Sequence, residues 1–336
     1  MLACDGLLLG KADIMLAGAV SGSDPLFIHM GFSYFHAYAR ENEPSVPMRQ
    51  NSGGLTSSEG AGMVVLKRLS DAQSDCDKIH AVIDAVGLSN DGAGQFLLSP
   101  NPKGQKLALE RAHEQCDRSP GEIQYLECHA TGTPLGDKTE FNSIADFFVR
   151  KDEHAPIIGS AKSNMGHLLT SAGMVSLLKV VLGMKNNLIP ATIKLDEPIS
   201  SQDGMIGPKQ IVTQNMEWPN GNGADRCAGV NTFGFGGTNA HLILSSYNEK
   251  EKPQKKKTTV STNQSLAIVG MGLHFGDCSN LDKFYVSLFN GVQHFRPLSE
   301  NRWKGMDELN SLQTAYGLPA REQLSGAWLD EFELDI

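Results

Sequence analysis

The sequence predicts an α/β protein built from stacked layers of helix and sheet. Three observations point there. Short apolar runs of strand length alternate with longer amphipathic segments over residues 1–247. Hydrophobic residues make up 40% of the 336-residue chain and charged residues 20%, enough apolar side chain for a sizeable core. The 35 glycines gather where apolar runs end, as tight turns require.

Taken in order, "ADIMLAGAV" (12–20), "GMVVLKRL" (62–69) and "HAVIDAVGLS" (80–89) read as strands, the last with partial alternation. "PKGQKLALERAHEQCD" (102–117) is an amphipathic helix with Leu107, Leu109, Ala112 and Cys116 available to one side. "IQYLECHA" (123–130) is a strand. A helix follows, "GDKTEFNSIADFFV" (136–149), opened by Asp137, whose charge suits a helix N-terminus. "PIIGSAKSN" (156–164) is strand and turn, and "HLLTSAGMVSLLKVVLGMKNN" (167–187) is a nearly all-apolar helix expected at the centre. "CAGVNTFGFGGTNAHLILSSY" (227–247) is strand, glycine turn, strand.

The composition breaks at 248. "NEKEKPQKKKTTVSTNQ" has no apolar periodicity and reads as a linker, its lysines a solvated run. Order resumes with "SLAIVGMGLHF" (265–275), a strand into a glycine turn, and "NLDKFYVSLFNG" (280–291), an amphipathic helix ended by Gly291. The expected organisation is a first domain over 1–247, a linker over 248–265 and the truncated beginning of a second domain over 266–336.

Several classes are disfavoured. A net charge of -9 argues against a nucleic-acid partner. No apolar run approaches the ~20 residues of a membrane helix; "LLKVVLGM" is short and carries Lys179. The six cysteines, at 4, 76, 116, 128, 227 and 278, form no CxxC pair, so reduced thiols and a cytoplasmic location are expected, with no metal site. "GMG" at 270–272 is a weak dinucleotide signal, because the next glycine falls at 276 and no acidic ribose partner is identifiable.

The residues that carry chemistry lie at strand ends. His129 follows an apolar strand, His167 comes 38 residues later, and Lys162 stands five residues before it in "SAKSNMGH". Each alone has an ordinary explanation: a hydrogen-bonded structural histidine, an ion-paired lysine, a glycine turn that is only a bend. Together and in order, "ECHATGTPLGDKTE", "GSAKSNMGH" and "NTFGFGGTNAHLIL" resemble the β-ketoacyl synthases of the thiolase superfamily, and the resemblance covers essentially all of 1–247. "GAVSGSDPLFIHMGFS" and "SSEGAGMVVLKRL" agree with it. "LACDGLLLGKADIMLAGAVSGSDPLFIHMGFS", "GLSNDGAGQFLLSPNPKGQ" and "GSAKSNMGHLLTSAGM" look more closely like the ketosynthase/chain-length-factor subunit of polyunsaturated fatty acid synthases. The restart at 266 and "NRWKGMDELNSLQTAYGLP" resemble the opening of the chain-length factor.

The resemblance implies a thiolase-like layered αβαβα fold, incomplete at its N-terminus and followed by the start of a second thiolase-like domain. The implied reaction is decarboxylating Claisen condensation of an acyl thioester with malonyl-acyl carrier protein, in polyunsaturated fatty acid or polyketide synthesis. His129 and His167 would donate hydrogen bonds to the thioester oxygen that gains charge as CO2 leaves. Lys162 would favour their neutral form and orient them. The Phe235 N–H, with that of the nucleophile, would bind the acyl oxygen, and its ring would gate the acyl pocket. Thr131 and Thr133 would hydrogen-bond the phosphopantetheine arm, and Gly234, Gly236 and Gly237 would let the backbone come close. No cofactor is bound directly; the phosphopantetheine travels on the acyl carrier protein. The implied partners are that carrier protein, other synthase subunits, and a second copy or a chain-length-factor domain in a dimer or pseudo-dimer.

The family's nucleophilic cysteine is missing. Cys4 matches a helix position and is expected to be a small buried filler. Cys128 neighbours His129 on a strand and should point away from the site. The nucleophile is therefore expected upstream of Met1, and the chain alone is expected to be inactive. Two alternatives stay open. A non-catalytic partner of the chain-length-factor type is disfavoured because both histidines and the lysine are kept. A thiolase-like enzyme acting on coenzyme A esters is disfavoured by the same three residues.

Overall fold

Strands and helices in alternation assemble here into one eight-stranded mixed sheet with helices on both faces. The computed structural model describes residues 1–22, 25–35, 37–38, 44–92, 99–150, 155–219, 225–234, 236–248, 265–299 and 325–329. The strands are β1 (Ile14–Ser21), β2 (Gly60–Arg68), β3 (Ala81–Asn90), β4 (Tyr125–Glu127), β5 (Ile157–Gly159), β6 (Cys227–Phe233), β7 (Thr238–Ser245) and β8 (Leu266–Phe275). Their order across the sheet is β1-β2-β8-β3-β7-β6-β4-β5. Pairing is antiparallel except where β4 lies parallel between β6 and β5.

The helices are α1 (Leu2–Leu8), α2 (Pro25–Tyr34), α3 (Leu69–Ser74), α4 (Pro102–His113), α5 (Pro134–Ile144), α6 (Lys162–Met165), α7 (Ala172–Asn186) and α8 (Leu281–Phe289). On one face, Val175, Leu178 and Val181 of α7 pack with Leu66, Ile83, Val230, Leu244 and Ile268 of the sheet. On the other, Leu109 and Ala112 of α4 and Phe141 and Ile144 of α5 pack with Ala85, Leu126 and Ile243. The described residues thus show three layers, helix, sheet and helix. The period-two alternation of β4 sends Leu126, and beyond it Cys128, to the α5 face and Tyr125 to the α7 face.

The strand positions expected from sequence are found within two residues, except that the strand expected over 123–130 is only Tyr125–Glu127, since beyond Glu127 the chain turns out of the sheet. Helix starts differ. The apolar helix begins at Ala172, because Gly166 (φ 72°) and Leu169 (φ 46°) hold the chain out of helical geometry. His167 therefore sits in a connecting turn ahead of the helix. α5 begins at Pro134, a residue suited to the first helical turn, and Asp137 lies one turn inside. "GMG" at 270–272 runs within β8, so it does not form a strand-to-helix phosphate loop.

The segment expected to open a second domain shares this sheet. β8 lies between β2 and β3 and buries Leu266, Ala267, Ile268 and Phe275. The three buried residues at its start leave nothing to expose on either face, so the strand needs neighbours on both sides. Most of the linker, 249–264, and the tail, 330–336, lie outside the described residues.

Candidate active site

Past β4 the chain leaves the sheet, and its N–H groups need new acceptors. Two buried carboxylates on α5 supply them. Glu140 accepts from His129 N–H (2.8 Å) and Ala130 N–H (2.7 Å). Asp137 accepts from Thr131 N–H (2.9 Å), Gly132 N–H (3.2 Å) and, across the fold, Met48 N–H (2.8 Å). The i,i+3 spacing of Asp137 and Glu140 turns both toward the same loop. Gly132 is required there: its φ is 84°, and an added Cβ would lie 2.8 Å from the Gly54 carbonyl oxygen. Asn231 of β6 donates to Glu140 Oε1 (2.9 Å) and meets His241 Nδ1 at 2.7 Å.

The second histidine is held equally firmly. His167 N–H donates to the Thr56 carbonyl (2.7 Å), and its own carbonyl accepts from Ser58 N–H (3.0 Å). Leu169 N–H donates to His167 Nδ1 (3.1 Å). A nitrogen that accepts cannot carry the proton, so the ring is neutral with its N–H at Nε2. The His129 and His167 rings lie edge to face, centroids 5.3 Å apart and planes at 85°. The Phe233 ring stands 5.8 Å from His129.

Both imidazoles keep an accessible edge yet lie below the surface. Burial first, and the Lys162 ammonium second, hold His167 down at about 3. Burial, Lys162 and His167 hold His129 well below the usual imidazole range. Lys162 is 4% exposed, and its Nζ has no hydrogen-bond partner. Burial lowers its pKa, against the attraction of Glu127, Glu140 and Asp137. Burial pushes Asp137 up to about 7 in spite of its three backbone donors.

The structure brings His129, His167 and Lys162 together. Thr131 and Thr133 follow His129 directly, half-buried, their hydroxyls 2.9 Å apart. Gly234, Gly236 and Gly237 form the tight turn after Phe233: Gly237 N–H donates to the Gly234 carbonyl (3.0 Å), and φ is 99° at Gly236 and 84° at Gly237. Phe235 lies outside the described residues. Cys4 is buried in the α7-side core, and Cys128 is fully buried on the opposite face. Burial raises the thiols of Cys4, Cys116 and Cys128, and pushes Cys227 to about 12 and Cys278 to about 11. None of these five is a ready thiolate.

Sequence reasoning passed over Glu127, Glu140, Asn231, Phe233 and the binding role of Asp137. The signal was present in part. Glu127, Asp137 and Glu140 are three acids within one motif that also carries a glycine, and acids beside a tight turn commonly cap its N–H groups.

Two neutral imidazoles thus lie beside an ammonium without a hydrogen-bond partner, at the strand ends of a layered α/β sheet. Residues 1–72 match the N-terminal domain of β-ketoacyl synthases, 80–196 their C-terminal domain, and 205–294 the ketoacyl-synthetase C-terminal extension. The chain belongs to the β-ketoacyl synthase family. It is 34% identical to a polyunsaturated fatty acid synthase polypeptide of Thraustochytrium sp., over all of this chain but 16% of that protein. It is 33% identical to erythronolide synthase EryA2 of Saccharopolyspora erythraea, over 80% of this chain and 7% of that one. Among solved structures, the PfaC keto synthase-chain length factor superposes with a TM-score of 0.72 at 45% identity, over 99% of this chain and 35% of that one. A ketosynthase from module 6 of the Bacillus subtilis bacillaene synthase gives 0.70 at 25% identity, over 93% and 64%. The fold is that of the thiolase-like ketosynthases.

Proposed function

We propose that residues 1–247 carry the decarboxylating half of a Claisen condensation in polyunsaturated fatty acid or polyketide synthesis. Malonyl on an acyl carrier protein loses CO2, and negative charge develops on its thioester oxygen. Neutral His129 and His167 donate hydrogen bonds to that oxygen, and Lys162 keeps both rings unprotonated. The single observation that carries the reading is the Leu169 N–H bond to His167 Nδ1, which puts the donor proton on Nε2 beside the His129 ring. Thr131 and Thr133 would hold the phosphopantetheine arm, and the turn containing Gly234, Phe235, Gly236 and Gly237 would line the acyl thioester. The acyl-carrying thiol is assigned outside this sequence, because burial holds five of the six cysteines protonated and Cys76 lies in an exposed turn after α3. The reading includes a cytoplasmic setting, partnership with a carrier protein, and pairing with a chain-length-factor domain.

The test uses the full-length synthase. His129→Ala or His167→Ala should lower malonyl decarboxylation by roughly 100-fold or more, the usual cost of losing one oxyanion donor, while acyl transfer persists. Wild-type CO2 release from either variant would remove that residue from the role.

A further inference from the structure

Behind Lys162 lies a second buried charged group that the decarboxylation chemistry does not use. Glu127, the last residue of β4, has no exposed side-chain surface, and Lys179 of α7 is 1% exposed. Lys179 Nζ lies 2.8 Å from Glu127 Oε2 and donates to the Tyr125 hydroxyl at 2.9 Å. That hydroxyl donates in turn to Glu127 Oε2 (2.6 Å). The other carboxylate oxygen accepts from Ala161 N–H (2.6 Å), the residue immediately before Lys162. Ser160, one residue earlier, donates its hydroxyl to the Ala130 carbonyl (3.2 Å), next to His129.

Counting acceptors shows what this does. Three carboxylates attract Lys162: Glu127, Asp137 and Glu140. Asp137 is taken by the N–H groups of Met48, Thr131 and Gly132. Glu140 is taken by His129 N–H, Ala130 N–H and the Asn231 amide. Glu127 is taken by Lys179, Tyr125 and Ala161 N–H. Every one of the three acids is satisfied, while Lys162 Nζ, like His129 Nδ1 beside it, is left without a hydrogen-bond partner. A buried lysine normally closes an ion pair, and a buried carboxylate stripped of its cation is costly. Without Lys179, Glu127 would be an uncompensated anion already bonded to the residue beside Lys162.

We propose that the Glu127–Lys179 pair is a positioning device, in which Lys179 neutralises Glu127 so that the Lys162 ammonium stays unpaired and directed at His129 and His167. The proposal deepens the reading of those histidines as oxyanion donors and rests on it for its catalytic meaning. The charged and titratable groups facing Lys162 are Glu127 and Cys128 from β4 and its exit, Asp137 and Glu140 from α5, and the two histidines; Lys179 reaches in from α7.

The experiment is nitrogen-15 histidine NMR titration of the whole chain, wild type against Lys179→Met and the neutral pair Glu127→Gln/Lys179→Met. In Lys179→Met, Glu127 claims Lys162, and the ring pKa values of His129 and His167 should rise by about one unit, the size of effect expected from withdrawing a nearby charge. In the double variant the only carboxylates left facing Lys162 are Asp137 and Glu140, still held by their N–H donors as in the wild type, and both titrations should return to wild type. A role in packing alone would not produce that rescue. Unchanged ring titration in folded Lys179→Met overturns the proposal. If that variant does not fold, Lys179→Gln keeps a donor for Glu127 and Tyr125, and unchanged titration there overturns it equally. The acid limb of malonyl decarboxylation in the full-length synthase should move up in Lys179→Met in parallel. Shifted rings in a synthase whose wild type releases no CO2 would instead sink the decarboxylation reading and leave the positioning role standing.

Discussion

Individual side chains near the site are held in protonation states that water would not give them, and this ties stability to pH. His167 and His129 are neutral in the folded protein, with pKa values far below the ~6.5 of an unfolded histidine. Their contribution is fully present above about 6.5 and is lost as pH falls toward the folded value, because only the unfolded chain binds the extra protons. Asp137 works the other way: its folded pKa of about 7 lies above the unfolded value, so its contribution is greatest in acid and fades as pH rises toward 7. The two trends oppose one another between about pH 4 and 6.5, so the whole-protein profile hides both. Single variants separate them. His167→Gln should flatten the acid decline, sparing roughly 1–2 kcal/mol between about pH 6.5 and 5 relative to wild type, and chemical-denaturation midpoints at the two pH values check it. An identical slope in the variant would mean that His167 is already protonated in the native state. The histidines and Lys162 were legible in the sequence because chemistry limits the residue types at such a site. The acids that hold them were legible only in part, as three acids in one motif with a glycine turn, since Asp137 and Glu140 bind mainly backbone N–H groups that no side-chain pattern reveals.

At the scale of elements, most strands and helices followed from apolar period alone, because β2, β3, β6 and β7 each bury a face along an unbroken run. The exception is β8. Its sequence reads as a strand at the start of something new, and nothing local says where it pairs. In the structure β2 and β3 are neighbours only through it: Leu266 to Phe275 runs against Arg68 to Gly60, and Leu266 to Ile268 also pairs with Ile83 to Ala81. Removing it would split the sheet into two pieces. It also reaches the site, because an added Cβ on Gly60 would meet Phe275 at 2.6 Å and Leu168 at 2.8 Å, next to the Ser57–His167 bridge. The expected consequence is that cleavage at a protease site placed within 249–264 leaves the two fragments co-eluting on gel filtration, and that they part only in denaturant. Ile268→Asp, which buries an unpaired charge at a fully enclosed position, should cost several kcal/mol or prevent folding. Release of 265–336 from a fragment that keeps its near-ultraviolet circular dichroism would show that β8 is dispensable to the sheet.

Among the described residues, one end of the sheet is left open. β1 is an edge strand, and the face it turns outward carries Ile14, Leu16 and Val20 at 57, 64 and 68% exposure, with Met63 of β2 beside them at 55%. Solvent-facing edges are ordinarily blunted with charge or proline, and an apolar edge strand invites a second strand; here the Val20 carbonyl is taken by the Thr170 hydroxyl. The occupant that fits is another synthase-like domain offering its own such edge, a second copy of this chain. Antiparallel pairing of two β1-type edges would continue one sheet into the other and bury these side chains without changing any contact inside this domain. Leu16→Glu places a charge in that seam and, across a two-fold axis, its own repulsive mate. Because Leu16 is mostly exposed here, the variant should melt with the wild type at low protein concentration. Its self-association, followed by sedimentation equilibrium, should weaken by at least about tenfold, which corresponds to roughly 1.4 kcal/mol at the interface. Equal association constants for variant and wild type would place the partner elsewhere on the surface, and a loss of thermal stability in isolated Leu16→Glu would mean that β1 contributes to the domain's own core.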